Sequence, residues 1–299
     1  MLDEEVITED RTQVCWCSDV NRGKKSLSML VALTSICASL YALGSFATSY
    51  IESPWGTGQF RPAVVIPAVF AILFGPIPGA VGAAVGTLLV DSAKHGQLYL
   101  KSLIAAVPGN FIGFYLLGHF LHTKFSWTRY VVISIVTLVV ANFIVAVLSV
   151  PVWTAIFLPE VFSKLPTVSW IFISLGLTLW WFSSMLPFVL LAVPPAIRGA
   201  CKAFPSIIPE SVVNATVSDE IPRLTFAAAL IVPGVCMILI GLATSMTPLG
   251  LLMSPAFGSG TVQQVTLTLV QLMFYLMGGV LTILGLALLT VKFSRTILR

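Results

Sequence analysis

Charge is what this sequence has least of. Only 9% of its 299 residues are charged, 16 basic and 12 acidic, whereas an ordinary soluble domain carries about 25%. Hydrophobic residues make up 57% of the chain. So few charges cannot cover a soluble globule of this length, which excludes a cytosolic enzyme, a disordered chain and a disulfide-stapled secreted domain. The net charge of +4 is too small to predict a nucleic-acid partner, and the composition requires lipid as solvent.

Motifs for ATP hydrolysis and for common hydrolases are also missing. The run Gly23-Lys24-Lys25-Ser26 ends like a phosphate-binding loop, but Ser18 stands where the first glycine is needed. Neither an HExxH nor a GxSxG motif occurs. Cys15 and Cys17 could share a metal ion, but no nearby Cys or His completes such a site. We therefore predict no enzyme activity, no catalytic residue, no metal site and no cofactor.

Uncharged runs predict eight helices, because a membrane-spanning helix needs about 20 apolar residues. The segment 75–79, Gly-Pro-Ile-Pro-Gly, interrupts one run and predicts two short helices; one long kinked helix is the alternative. The predicted helices lie at about 27–49, 63–75, 79–92, 98–121, 130–157, 168–196, 224–243 and 263–291. The expected fold class is an all-α polytopic membrane bundle.

The distribution of basic residues predicts the orientation of this bundle. With both termini in the cytoplasm, twelve of the 16 basic residues fall on the cytoplasmic side, as the positive-inside rule requires. The chain then divides into a cytoplasmic tail at 1–24, a six-helix core at 25–198, a cytoplasmic loop at 199–222 and a two-helix segment with a basic tail at 223–299. The predicted location is the plasma membrane.

Polar side chains within or beside the predicted helices are functional candidates, because burying them in a membrane is costly. The two outer connections flank the same pair of short helices, so we expect their ends to meet. An arginine there can clamp a carboxylate or phosphate bidentately, and an aspartate can hold a ligand amine or the arginine itself. The predicted ligand-binding residues are Trp55, Gln59, Arg61, Asp91, Asn110 and Asn142.

Less specific roles remain open for the same residue types. Arg61, Lys94 and Lys101 could extend towards lipid headgroups, and both asparagines could bond between helices. One indole of Trp180-Trp181 is expected to face the interior, either as packing or as a stacking surface. Arg61 with Asp91 suits a small zwitterionic or anionic molecule, and the aromatic groups suit a flat ring.

Short motifs follow one another in a fixed order between Ala38 and Leu121. They are Ala38-x-x-x-Ala42, Arg61-Pro62-Ala63-Val64-Val65-Ile66-Pro67, Leu73-Phe74-Gly75-Pro76, Gly79-x-x-Gly82-x-x-x-Gly86 ending at Asp91, and Gly109-Asn110-Phe111 with Gly113 and Gly118. In this order and spacing, the chain resembles the substrate-binding S components of energy-coupling factor (ECF) vitamin transporters. The resemblance covers about the first 200 residues and leaves two additional helices.

The resemblance implies a membrane subunit that captures a vitamin-like nutrient from outside. It also implies partners, a transmembrane T component bound to two ATP-binding subunits, and it assigns Ala38 and Ala42 to the contact with the T component. A membrane sensor or a stand-alone permease are the alternatives. A membrane-embedded enzyme is disfavoured because the helices offer almost no clustered carboxylates, histidines or cysteines.

Overall fold

Helices account for nearly all of the structure, a computed structural model that describes residues 26–54, 58–218, 220–247 and 260–290. Within these residues, seven helices are long and apolar enough to cross a membrane, and Pro62–Phe74 is a shorter apolar helix. This confirms the all-α polytopic bundle. The predicted tail at 1–24, with Cys15 and Cys17, lies outside the described residues.

The helices follow the predicted order, but several begin or end at other residues than predicted. The first half of the chain forms α1 Leu27–Thr48, α2 Val65–Phe74, α3 Pro76–His95, α4 Val107–Leu121 and α5 Trp127–Val147. The second half forms α6 Trp153–Phe157, α7 Pro159–Lys164, α8 Thr167–Ala203, α9 Glu210–Ser218, α10 Arg223–Met246 and α11 Gly260–Thr290.

The break between α2 and α3 is narrower than the sequence suggests. It is confined to Gly75, whose φ of 102° is accessible mainly to glycine. Pro76 and Pro78 lie in the first turn of α3, where backbone N–H groups have no intrahelical partner and the missing donor costs nothing. The helix α3 is therefore 20 residues long, enough for a full span rather than the short helix predicted at 79–92.

Two π-helical segments interrupt the regular helices. One, Ser102–Ala106, leads into α4, and the other, Leu148–Val152, follows α5. Each has a proline in or just after it, Pro108 and Pro151, and a proline leaves a preceding carbonyl without its helical donor. The sequence pattern predicted uninterrupted helices at both places. A widened turn of this kind is frequent at functional sites.

The segment 199–222 is more helical than a loop. It contains the end of α8, a 3-10 turn and α9. Packing accounts for this helical structure. Cys201, Ile208 and Val212 are buried, and Arg198 Nε donates to the Thr216 carbonyl. The cytoplasmic placement of this segment stays a prediction.

Glycines set the separation of the core helices. A Cβ on Gly86 of α3 would lie 2.8 Å from the Ala38 carbonyl oxygen of α1, and one on Gly113 of α4 would lie 2.6 Å from the Ala141 Cβ of α5. Neither position has room for a side chain, so these helices contact each other almost backbone to backbone. Such close approach is how membrane helices gain packing energy without a hydrophobic driving force.

The last two helices form a hairpin that packs in the same way. A Cβ on Gly278 of α11 would lie 2.7 Å from the Gly234 carbonyl oxygen of α10. An aromatic cluster joins the hairpin to the core, with the Phe226 ring centroid 6.0 Å from that of Tyr130 and 6.3 Å from that of Trp127. The Arg198 guanidinium lies 5.4 Å from the Trp127 ring centroid, within cation–π distance.

Candidate functional site

An open cavity lies at one end of the core, between the α1–α2 connection and helices α3, α4, α5 and α8. Its volume is about 130 Å³, several times the volume of about 30 Å³ that one water molecule occupies in the liquid. Both π segments contribute to its wall, through Ser102 and Ala105 on one side and Ser149 on the other. The two irregular turns therefore face the same space.

A buried ion pair between Arg61 and Asp91 forms the floor of this cavity. Arg61 is 7% exposed and Asp91 is 5% exposed. The Ser102 hydroxyl donates to Asp91 Oδ2 at 2.6 Å, so both carboxylate oxygens are engaged. The two opposite charges offset part of the free-energy cost of burying each of them.

The same guanidinium organises two neighbouring polar groups. Arg61 Nη2 donates to Gln59 Oε1 at 3.3 Å and Nη1 to the Thr87 hydroxyl at 3.4 Å. Asn110 Nδ2 donates to that hydroxyl at 3.0 Å. Arg61 therefore fixes the orientation of the Gln59 side chain and, through Thr87, of the Asn110 side chain.

Three carboxamides line the cavity with unused hydrogen-bonding capacity. Gln59 Nε2 and the Oδ1 atoms of Asn110 and Asn142 have no partner within the described residues. The Asn142 amide contacts only the Met185 thioether sulfur, at 3.8 Å, which is a weak acceptor. Asn142 is only 6% exposed, so a ligand that bonded this amide would relieve a buried, poorly satisfied group.

Trp181 of α8 supplies an apolar wall beside these amides. It is 7% exposed, and it lies so close to the α1–α2 connection that a Cβ on Gly58 would be 2.7 Å from its Cζ2 atom. Phe60 packs edge-on against Phe188 of the same helix, with ring centroids 5.6 Å apart. The connection is thus held against α8 next to the cavity.

Backbone contacts also shape this connection. Glu52 and Gln59 form an isolated antiparallel bridge, Ser53 N donates to Gly58 O at 2.9 Å, and the Thr48 hydroxyl donates to Phe60 O at 2.9 Å. Gly58 has a φ of 86°, which a side chain would strain. These contacts turn the chain so that Gln59 and Arg61 point to the cavity.

Charged and aromatic groups surround the mouth. Lys94 Nζ donates to Glu52 Oε1 at 2.5 Å and to the Ser49 carbonyl at 2.9 Å, which ties the end of α3 to the end of α1. His95 stacks on Tyr99 with ring centroids 3.7 Å apart. Burial together with the charges of Asp91 and Glu52 raises the pKa of Tyr99, whereas burial lowers the pKa of Lys101.

The structure brings five of the six predicted ligand-binding residues to one cavity: Gln59, Arg61, Asp91, Asn110 and Asn142. Trp55 lies outside the described residues. Sequence reasoning did not select Met185, and it left Trp181 undecided between packing and stacking. Sequence reasoning also missed Ser102 and Ser149. Pro108 and Pro151 were the available signal for them, because these prolines accompany the π segments and such segments are frequent at functional sites.

The structure gives the two alanines assigned to a partner contact different surroundings. Ala38 is 5% exposed and packs against Gly86 within the chain, whereas Ala42 is half-buried. Of the two, Ala42 therefore keeps more surface for another protein. The contact with a T component stays a prediction.

Comparison with known proteins places the chain in a family. The family described as "ECF-type riboflavin transporter, S component" matches residues 26–176, about half of the chain. No curated protein and no solved structure matched. The matched residues include the α1–α2 connection, α3, α4 and α5, which together supply most of the cavity wall. The chain therefore belongs to the ECF-type riboflavin transporter S component family.

Proposed function

We propose that this chain is the membrane subunit that captures riboflavin, or a close flavin analogue, from outside the cell and passes it to a T component bound to two ATPases. The family supports a substrate-binding role in the membrane, and its name supplies riboflavin as the first candidate ligand. The observation that carries the proposal is the set of three carboxamides with free hydrogen-bonding capacity beside a buried indole.

The chemistry of the cavity suits a flat, neutral heteroaromatic ring. Carboxamides offer both donors and acceptors, which match the alternating carbonyl and N–H edge of a flavin. The Trp181 indole offers a face for offset stacking. Since Arg61 and Asp91 neutralise each other, the floor presents no net charge to the ring.

Binding is tested with the purified protein in detergent by titration of riboflavin, whose fluorescence falls when the ring stacks on an indole. We expect saturable binding of one riboflavin per chain, with no competition from thiamine or biotin. Asn142→Ala should weaken affinity by about tenfold, the effect of one hydrogen bond to a buried amide. The control is Asn214→Ala, at an exposed position of α9. A wild-type protein that binds no flavin would refute the proposal.

Capture from outside requires the cavity mouth and both α7 and the α1–α2 connection to lie on the outer side. The distribution of basic residues supports this orientation. In a background without the native cysteines, an impermeant thiol reagent should label Ser163→Cys in intact cells but not Ser206→Cys. Both positions are exposed in the structure, so access differs only through the membrane. Labelling of position 206 would reverse the orientation.

Dependence on ATP-driven partners is tested by uptake. Cells that make the chain together with a T component and two ATPases should accumulate riboflavin, and cells that make the chain alone should only bind it. Uptake by the chain alone would instead identify a stand-alone permease.

A further inference from the structure

The turn between α4 and α5, residues 122–126, lies at the end of the bundle opposite the cavity. Ser102 and Asn110, near the start of α4, and Asn142 and Ser149, near the end of α5, line the cavity, whereas the turn joins the other two helix ends. Helix α5 is 21 residues long, which corresponds to about 30 Å, the thickness of a bilayer's hydrocarbon core. The turn is therefore at a membrane surface.

The charge around this turn is of one sign. No acidic residue occurs between Asp91 and Glu160 in the sequence, whereas Lys124 and Arg129 lie in the turn and at the start of α5. Neither of these two side chains forms an ion pair within the described part of the chain. The turn therefore presents two positive charges to the headgroup region of the membrane.

Arg129 also has an unmet hydrogen-bonding requirement. Its side chain is half-buried, and its Nε atom is buried with no hydrogen-bond partner among the described residues. Its backbone N–H donates to Ser126 Oγ at 3.3 Å, which fixes the residue in the first turn of α5. A guanidinium carries five donors in one plane and binds phosphate oxygens bidentately. A phosphate beside Arg129 would supply the acceptor that Nε lacks.

An exposed apolar stripe follows Arg129 on the same face of α5. Val132, Val136 and Phe143 come three, seven and fourteen residues later, spacings that return to one face of a helix. Their side chains are 51%, 49% and 45% exposed. Trp127 lies on the opposite face and packs into the aromatic cluster that joins the hairpin to the core. The stripe therefore runs from the basic turn towards the middle of the membrane.

We propose that this surface binds one anionic phospholipid, such as phosphatidylglycerol. Its phosphate lies on Arg129 and Lys124, and one acyl chain lies along the stripe of Val132, Val136 and Phe143. A lipid fits better than a free anion because only a lipid carries both a negative headgroup and an apolar chain, in the order in which α5 presents their partners. The site lies outside the ligand cavity and does not depend on the ligand proposed above.

Native mass spectrometry of the purified full chain measures which added phospholipid it retains. Wild type should retain phosphatidylglycerol in preference to phosphatidylcholine. Arg129→Gln should weaken the binding of phosphatidylglycerol by about tenfold, the effect of one charge-assisted hydrogen bond. Arg129→Lys should recover only part of it, because an ammonium lacks the planar fork of donors. Lys164→Gln removes the same charge from an exposed position of α7 and should change nothing.

Glycerol 3-phosphate, a headgroup without acyl chains, separates a lipid site from a site for free phosphate. It should not displace phosphatidylglycerol, and displacement at similar concentrations would overturn the inference. Equal retention of phosphatidylglycerol by wild type and Arg129→Gln would also overturn it. If Arg129→Gln lowers the midpoint of thermal unfolding, Lys124→Gln decides instead, because Lys124 is exposed and its loss leaves no buried group unpaired. Lys124→Gln should weaken phosphatidylglycerol binding by a smaller factor, and unchanged binding would refute the site.

Discussion

Arg61 is central at the scale of single residues, but its role differs from the one its residue type suggests. The sequence predicts a clamp for an anionic ligand. In the structure its guanidinium donates to Asp91, Gln59 and Thr87, all within the chain. Arg61 is therefore better placed to position the amides than to bind a ligand directly.

Removal of this guanidinium should destabilise the fold. Arg61→Met leaves the buried Asp91 carboxylate with the Ser102 hydroxyl as its remaining donor, and loss of one partner of a buried pair costs about 3–5 kcal/mol. Arg61→Met combined with Asp91→Leu should recover much of the loss. Thermal unfolding of the three proteins in detergent measures this, and an unchanged midpoint for the single variant would show that the pair is not a structural element.

Gly58 provides a second prediction for a single residue. Gly58→Ala should lower both thermal stability and riboflavin affinity, because the added methyl would lie 2.7 Å from Trp181 at a φ of 86°. Gly96→Ala is the control, since Gly96 also has a positive φ of 68° but an added methyl there would meet no atom within 4 Å. Equal riboflavin affinity in the two variants would mean that the contact with Trp181 does not shape the cavity.

At the scale of helices, the sequence predicts which helices form and in what order better than it predicts the residues at which they begin and end. Charge-free runs located every long helix of the described residues except that α3 was predicted as a short one, because lipid demands about 20 apolar residues for each span. The same criterion detects neither the π segments, which accompany Pro108 and Pro151, nor the full length of α8, which ends beyond the charged Arg198 and Lys202. The meeting of Gln59, Arg61 and Asp91 was predictable because they lie at the two ends of one helical hairpin. The contribution of Trp181 was not, since it needs the packing of α8 on the α1–α2 connection.

Two alanines of α1 should respond differently to substitution, because Ala38 is buried against α3 whereas Ala42 is only half-buried. Ala38→Trp should lower thermal stability because its side chain would enter the close contact with Gly86. Ala42→Trp should leave folding and riboflavin binding intact and reduce uptake, if the exposed part of Ala42 meets the T component. Uptake and binding assays on both variants decide this, and full uptake by Ala42→Trp would remove that residue from the partner contact.

At the scale of the whole molecule, the cavity and the C-terminal hairpin are separate. No residue of α10 or α11 described in the structure lines the cavity. Gly278→Leu should therefore lower thermal stability and leave riboflavin affinity unchanged, because the side chain would meet the Gly234 carbonyl of α10. Gly279→Leu, at the adjacent position with open space, should change neither property. A loss of affinity in Gly278→Leu would show that the hairpin acts on the site.

The Arg61–Asp91 pair has a consequence for biosynthesis. Its partners are 30 residues apart: Arg61 precedes the helical hairpin α2–α3, and Asp91 lies near the end of α3. As the nascent chain leaves the ribosome, both charges emerge before α4 begins, and they can neutralise each other while the hairpin enters the bilayer. The insertion machinery then handles a hairpin to which the Arg61–Asp91 pair adds no net charge, and α8 with Trp181 arrives later to close the wall. A nascent chain stalled after α3 should integrate efficiently as the wild-type sequence and poorly when either charge is removed alone.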